Sequence, residues 1–256
     1  MTGEPPLPGS FPDEAPRALF GLKEDHFWFS HRRAAILEAV GACLPEGRDA
    51  RVLDVGCGDG EILAPLSGRF RAVGMDRRVG DLLLARRRGA RRLVAGDGGP
   101  DMPFGPGFDL IGLFDVVEHV EDDAGFLRTA ASLAVPGGFV LLTVPADPRL
   151  WGKFDQYAGH YRRYTRNALT GLLQEAGLEV LRILPLFRAL WPLARIGAVL
   201  QRNTRVTDPA REYRVARPWN DLLRRILSVE RRLFGTSESG IGTSWLAVAR
   251  TTGKSD

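Results

Sequence analysis

The residues best suited to chemistry stand in two short stretches. LFDVVEHVEDD, residues 113–123, is an apolar run that ends in carboxylates around His119. GHYRRYT, residues 159–165, carries His160. An imidazole titrates near neutral pH, so either histidine could take a proton from a hydroxyl. Asp115, Glu118 and His119 also form D-x-x-E-H, and with His160 they offer oxygen and nitrogen ligands for Mg²⁺, Mn²⁺ or Zn²⁺. Our expectation is nonetheless no metal. A third reading has the stretch simply ending a strand and opening a helix, with Glu118, Glu121 and Asp122 in the favourable N-terminal field. The residues alone leave these three readings open. In the second stretch Arg162 and Arg163 could bind a substrate carboxylate or phosphate, and Tyr157, Tyr161 and Tyr164 could wall a pocket. The bland alternative is that Thr165 caps the helix TRNALTGLLQEAG and the arginines are solvated.

Upstream lies LDVGCGDGE, residues 53–61, a glycine loop read as GxGxG because Glu61 follows Gly60. Gly56, Gly58 and Gly60 allow a tight turn and a close approach of backbone to ligand. Dinucleotide enzymes share such loops, so the loop alone is a weak signal. Asp54 sharpens it. A carboxylate inside the preceding strand can accept from the loop's backbone and meet a cationic ligand, whereas a pyrophosphate would be repelled. VGMDRR puts Asp76 about 20 residues beyond the first glycine, where an acid hydrogen-bonds a ribose diol. VAGDGG supplies Asp97 to accept from an adenine amino group, or else to serve as a turn or helix-cap aspartate.

Elements that would position these residues alternate in the manner of a parallel sheet with crossover helices. We read strands at 51–55, 71–75, 91–95, 108–114, 137–144, 178–184 and 244–250. FWFSHRRAAILEAVGACL reads as a helix ahead of the sheet, with Ile36, Leu37 and Val40 as its apolar stripe. Residues 185–243 form a long helical insertion before the last strand, expected to cap the site, with peripheral membrane contact as a second use. Arg188, Arg195, Pro185 and Pro192 interrupt its apolar stretch, which argues against a span. Residues 1–17, rich in proline and acid, read as a disordered lead-in without a signal peptide, leaving 18–256 as one domain. Two cysteines, Cys43 and Cys57, cannot make a disulfide framework and fit a reducing compartment, so we expect a cytoplasmic, at most membrane-peripheral, protein. The charge of +4 and pI near 9.4 come largely from arginines scattered over helices rather than gathered in a stripe, which disfavours nucleic acid.

Taken together, VLDVGCGDG, VGMD, AGD, FDLIGLFDVVEHVED and VPGGFVLLTVP resemble the class I S-adenosylmethionine-dependent methyltransferases over residues 26–184 and again at the final strand. The resemblance implies an α/β, Rossmann-like seven-stranded sheet with helices on both faces, its last strand antiparallel between the fifth and sixth. It implies S-adenosylmethionine as cofactor and S-adenosylhomocysteine as product. Asp54 and Gly56 would lie near the methionyl group, Gly58 at the turn, Asp76 at the ribose, Asp97 and Gly98 at the adenine, and the Phe114 backbone at the methionyl amine. HFWFSHRR is similar to an N-terminal element of a bacterial subgroup, in which Trp28 and Arg32 or Arg33 would close over cofactor or substrate. E-x-x-E-H spacings occur in ubiquinone-biosynthesis O-methyltransferases and in small-RNA 2′-O-methyltransferases; here Asp115 replaces the first Glu, which shortens its reach.

The resulting expectation is methyl transfer to a small-molecule hydroxyl, with His119 or His160 as base. N- or C-methylation without a base, a nicotinamide-dependent oxidoreductase and a non-catalytic adenosyl-binding scaffold are the alternatives. Trp191, Trp219, Phe187 and the arginines of the insertion suggest an acceptor both apolar and anionic.

Overall fold

The structure is a computed structural model and describes residues 21, 23–99, 102–200 and 215–252. The expected lead-in at 1–17 lies outside these residues, as does part of the insertion. In chain order the elements are α1 (Phe27–Cys43), β1 (Arg51–Val55), α2 (Leu63–Ser67), β2 (Arg71–Asp76), α3 (Val79–Arg87), β3 (Leu93–Ala95) and β4 (Phe108–Phe114). A 3₁₀ turn at Val117–His119 leads to α4 (Asp123–Ser132) and β5 (Ala134–Pro145). Then follow a second 3₁₀ turn (Pro148–Leu150), α5 (Lys153–Ala158), α6 (Arg166–Glu175), β6 (Leu178–Leu186), α7 (Trp191–Leu200), α8 (Arg217–Phe234) and β7 (Ser244–Thr251).

The strands form one sheet in the order β3-β2-β1-β4-β5-β7-β6. Pairing is parallel from β3 to β5, and β7 runs antiparallel to both β5 and β6. The inner strands read as near-continuous apolar runs because helices cover both faces. Successive side chains nonetheless alternate between two cores. Leu53, Ile111, Val140, Leu142, Trp245 and Ala247 pack on one side with Phe126 and Leu127 of α4 and Leu169 and Leu173 of α6. Val52, Leu110, Leu141, Leu246 and Val248 pack on the other with Ile36 and Val40 of α1, Leu63 and Leu66 of α2 and Leu227 of α8. Leu37 of the expected α1 stripe is only partly buried against this second core.

Strand boundaries depart from the sequence reading where tertiary contact decides them. β3 loses Arg91 and Arg92 and keeps three residues at the sheet edge, where it pairs only with β2. β5 starts at Ala134, and a Cβ at Gly138 would come within 2.8 Å of the Val135 carbonyl oxygen. β6 continues through Leu186 because β7 pairs with it to Ser244, so the insertion starts two residues later than expected.

Candidate active site

At the carboxyl ends of β1, β2, β4 and β5 opens a cavity of about 1460 Å³, the place where open α/β sheets bind ligands. That is larger than one drug-sized ligand fills, so it has room for a cofactor and an acceptor together. Its floor is the glycine loop, where Gly56, Gly58 and Gly60 all have positive φ, at 72°, 51° and 77°. Their roles differ. A Cβ on Gly56 would strike Val116, and one on Gly60 would meet the Ala85 backbone at 2.8 Å, so both glycines serve protein packing. Only Gly58 faces open space, and Gly60 does not line the cavity.

Asp76 ties the loop down. One carboxylate oxygen accepts from the Gly58 N–H and the other from the Arg78 N–H, each at 2.8 Å. Gly56 and Cys57 donate to the Met75 carbonyl, and Gly60 donates to that of Cys57. The expectation that Asp54 accepts from the glycine-loop backbone is therefore corrected: those donors are taken, and Asp76 does the holding. Asp54 is buried in β1 between Gly74 and Gly112 of the flanking strands. Burial, with Asp76 adding to it against the opposing pull of Arg32, pushes its carboxyl up to about 7.

β4 ends at Phe114, and Asp115 then takes φ 58°, unusual for a residue with a Cβ. Three contacts pin it there. Its N–H donates to the Thr143 carbonyl (3.0 Å), Thr143 Oγ1 donates to Oδ1 (2.8 Å), and Oδ2 lies 2.6 Å from Arg32 Nε. Asp115 thereby stands apart from the other three residues of the alternative metal reading. Glu118, His119 and His160 do converge, each with one ligand atom within 4.8 Å of the others. Glu118 is buried, its Oε2 has no hydrogen-bond partner among the described residues, and burial beside Asp115 holds its carboxyl well above the usual range.

The two imidazoles meet edge to face with centroids 4.8 Å apart. His160 Nδ1 lies 2.9 Å from Asp155 Oδ1, and that fully buried carboxylate also accepts from Arg163 Nε and the Gly152 N–H, each at 2.8 Å. Despite its burial these donors hold the Asp155 carboxyl below the usual range. An ionised Asp155 can only accept, so His160 carries its proton on Nδ1 and leaves Nε2 as an acceptor. Burial and the neighbouring His160 lower His119 to about 3, so it is neutral at any working pH.

A family model described as a methyltransferase domain matches residues 28–183, well over half of the chain. The chain belongs to the class I S-adenosylmethionine-dependent methyltransferases. Among curated relatives, a "Probable S-adenosylmethionine-dependent methyltransferase" of Mycolicibacterium smegmatis is 28% identical, the match covering 68% of each chain. Ubiquinone biosynthesis O-methyltransferases of Methylobacterium sp. and Dinoroseobacter shibae are 33% and 32% identical, but the matches cover only 38% and 50% of this chain and 45% and 60% of theirs. Among solved structures, a chain from the Haloferax volcanii complex between the Trm112 methyltransferase activator and a methyltransferase superposes with TM-score 0.62 at 19% identity, covering 95% of this chain and all of that one. A Thermotoga maritima methyltransferase gives TM-score 0.54 at 20% identity over 88% of this chain and 93% of its own. These structural likenesses speak to the fold. Family membership sets aside the nicotinamide oxidoreductase that the glycine loop alone also allowed.

This methyltransferase uses S-adenosylmethionine, and its cavity fits that molecule. Asp54, Asp76, Asp97 and Glu61 line the cavity with carboxylates, a sign that suits a cationic molecule, and a Cβ at Gly58 would meet no protein atom within 4 Å. Asp97, Gly98, Phe114 and Trp28 all line the cavity. A Cβ on Gly98 would sit 2.8 Å from the Phe126 ring, so the glycine lets that ring pack against the cavity wall. Trp28 stacks flat on Phe187 at 3.8 Å.

Of the arginine pair after it, Arg32 faces the cavity, while Arg33 turns to Glu61 and the Glu24 carbonyl, each at 3.3 Å, and is corrected as a cavity residue. In GHYRRYT only His160 and Arg163 line the cavity. Arg162 pairs with Asp123 at 2.6 Å, the buried Tyr164 donates to the same carboxylate, and Tyr157 and Tyr161 lie off the wall. Thr165 does cap α6, and Asp122 caps α4. The residue that sequence reasoning missed is Asp155. Its five-residue spacing from His160 across a turn was visible, but nothing in the sequence shows the turn closing.

Proposed function

We propose that the protein methylates a hydroxyl of an apolar, anionic small molecule, with His160 as general base. The observation that carries this reading is the Asp155–His160 pair at the cavity wall, 4.8 Å from His119. A sulfonium methyl is intrinsically reactive, so S-adenosylmethionine supplies the electrophile and the chain supplies alignment. Trp28 and Arg32 form the roof, and Asp54 the counter-ion, of the cofactor half. His160 Nε2 accepts the hydroxyl proton, and buried Asp155 stabilises the imidazolium that forms. Arg163 works against that second effect, because its guanidinium shares the same carboxylate oxygen. It also serves as an anchor for an anionic group on the acceptor. His119, held near 3, is a weak base and better suited to orienting the hydroxyl. The ubiquinone O-methyltransferase relatives support oxygen over nitrogen or carbon as the attacking atom.

α7 completes the acceptor half as a cap. Leu193, Ala194, Gly197 and Ala198 line the cavity, and Trp191 Nε1 donates to Asp147 at 2.8 Å, fastening the helix to the rim.

The test is turnover with S-adenosylmethionine and phenolic acceptors. His160→Ala and Asp155→Asn are expected to lower kcat by about 10²- to 10⁴-fold, with S-adenosylhomocysteine affinity retained in calorimetry. Full rates in both variants would remove His160 from the chemistry. A second reading has Glu118, His119 and His160 holding a divalent ion that acidifies the hydroxyl, favoured by the unpartnered Glu118 Oε2. Chelator-treated enzyme that keeps its rate rules that reading out.

A further inference from the structure

The second helix of the insertion carries a feature that methyl transfer does not use. The inner side of α8 is anchored to the body of the protein. Leu227 is fully buried, Glu230 accepts from the Arg188 and Ala189 N–H groups at 3.0 and 2.8 Å, and Asn220 Oδ1 accepts from Phe27 at 2.8 Å. Its outer side exposes Trp219, Leu222, Ile226, Val229 and Leu233, between 40% and 68% accessible. Their spacing of three, four, three and four residues places all five along one line of the helix. Isolated exposed apolar residues are normal, but a continuous row on a helix about 27 Å long is a binding surface.

Charge says what the row meets. At about 100° per residue, Arg225 and Arg232 fall along the edge of the row away from the buried side, with Arg217, Arg224 and Arg231 farther round. Arg231 and Arg224 pair with Glu38 (3.1 Å) and Asp25 (3.7 Å) of the body, so the cations that edge the row are Arg225 and Arg232, with Asp221 the one exposed carboxylate of the helix beside them. The 3–4 spacing would also suit a helix of a second copy. A two-fold pairing, however, sets Arg225 beside the same arginine of the other chain, with one exposed carboxylate per helix, Asp221, against two arginines on that edge.

We infer that α8 lies on an anionic phospholipid surface, its apolar row in the acyl boundary and Arg225 and Arg232 at the headgroup phosphates. No helix among the described residues is long and apolar enough to cross a membrane, so contact is along the surface. Phe27 lines both the groove beside α8 and the methyl-transfer cavity, so the lipid-facing helix borders the active site. An apolar acceptor dissolved in the bilayer would then enter without crossing bulk water.

The full chain is sedimented with vesicles of phosphatidylcholine alone or mixed with phosphatidylglycerol, at low and high salt. Expected is binding at least tenfold stronger to the anionic vesicles, weakened by salt. Ile226→Ser with Val229→Ser, and separately Arg225→Gln with Arg232→Gln, are expected to cut it about tenfold while S-adenosylhomocysteine binding stays intact. Equal binding to both vesicle types, or binding unchanged in both variants, overturns the inference. So does a concentration-dependent dimer, seen without vesicles, that the Ser substitutions abolish; that result would assign the row to a second copy.

Discussion

Asp54 is the residue at which burial and function meet most directly. Its carboxyl sits in an apolar strand with glycines on either side and titrates near 7. In the unfolded chain it titrates near the ordinary aspartate value, about 3.9. An acid raised on folding contributes stability that is full below the unfolded pKa and lost as pH rises through the folded one. Replacement by Asn removes that loss. Asp54→Asn, melted without ligand, is expected to gain on the wild type by up to about 4 kcal/mol between pH 4 and pH 8. The ligand reverses the preference, since an ammonium or sulfonium needs the ionised form. Wild-type affinity for S-adenosylhomocysteine should therefore rise from pH 6 to pH 8, and the profile of Asp54→Asn should be flat. A flat wild-type profile would place the ligand's cation elsewhere.

At the scale of elements, the glycine loop separates packing from binding within five residues. Gly60 lies against the Ala85 backbone of α3, so Gly60→Ala pays both for positive φ and for a clash. We expect a loss of at least about 1–2 kcal/mol in urea unfolding. Gly58→Ala meets no protein atom within 4 Å and suffers only its backbone strain, but Gly58 lines the cavity, so the substitution should lower cofactor affinity more than stability. The reverse ordering would move the ligand off Gly58. The loop was legible as a loop because positive φ leaves glycines in the sequence. Which glycine faces open space was not, because Val116 and Ala85 reach Gly56 and Gly60 from other elements. The same holds for Arg32 and Arg33: adjacent residues on a helix point about 100° apart, and only the packing of α1 on the sheet decides which one enters the cavity. The acidic tail of LFDVVEHVEDD divides for a similar reason. Asp122 caps α4 as a local rule requires, whereas Glu118 is buried by contacts made across the fold.

For the whole molecule, ligand binding and folding are linked by mass action. S-adenosylhomocysteine at a hundred times its Kd adds about 2.7 kcal/mol, which for a chain of this size raises Tm by roughly 5–10 °C. Thermal melts should show that shift with S-adenosylhomocysteine and none with NAD; a shift with NAD alone would contradict the cofactor assignment. The sequence carried the strands in its residues, and through the resemblance of its combined motifs it implied the antiparallel seventh strand and the cofactor. Strand alternation and glycine turns are written in local residue types, and combined motifs carried the family. Tertiary structure alone decided the arrangement on which the proposed acceptor side rests. Asp155 reaches His160 through a turn, Arg162 is drawn away to Asp123, and α8 turns its arginine-edged apolar row to solvent instead of the core. Each of these depends on which long-range neighbour competes for a side chain, and spacing along the chain does not record that competition.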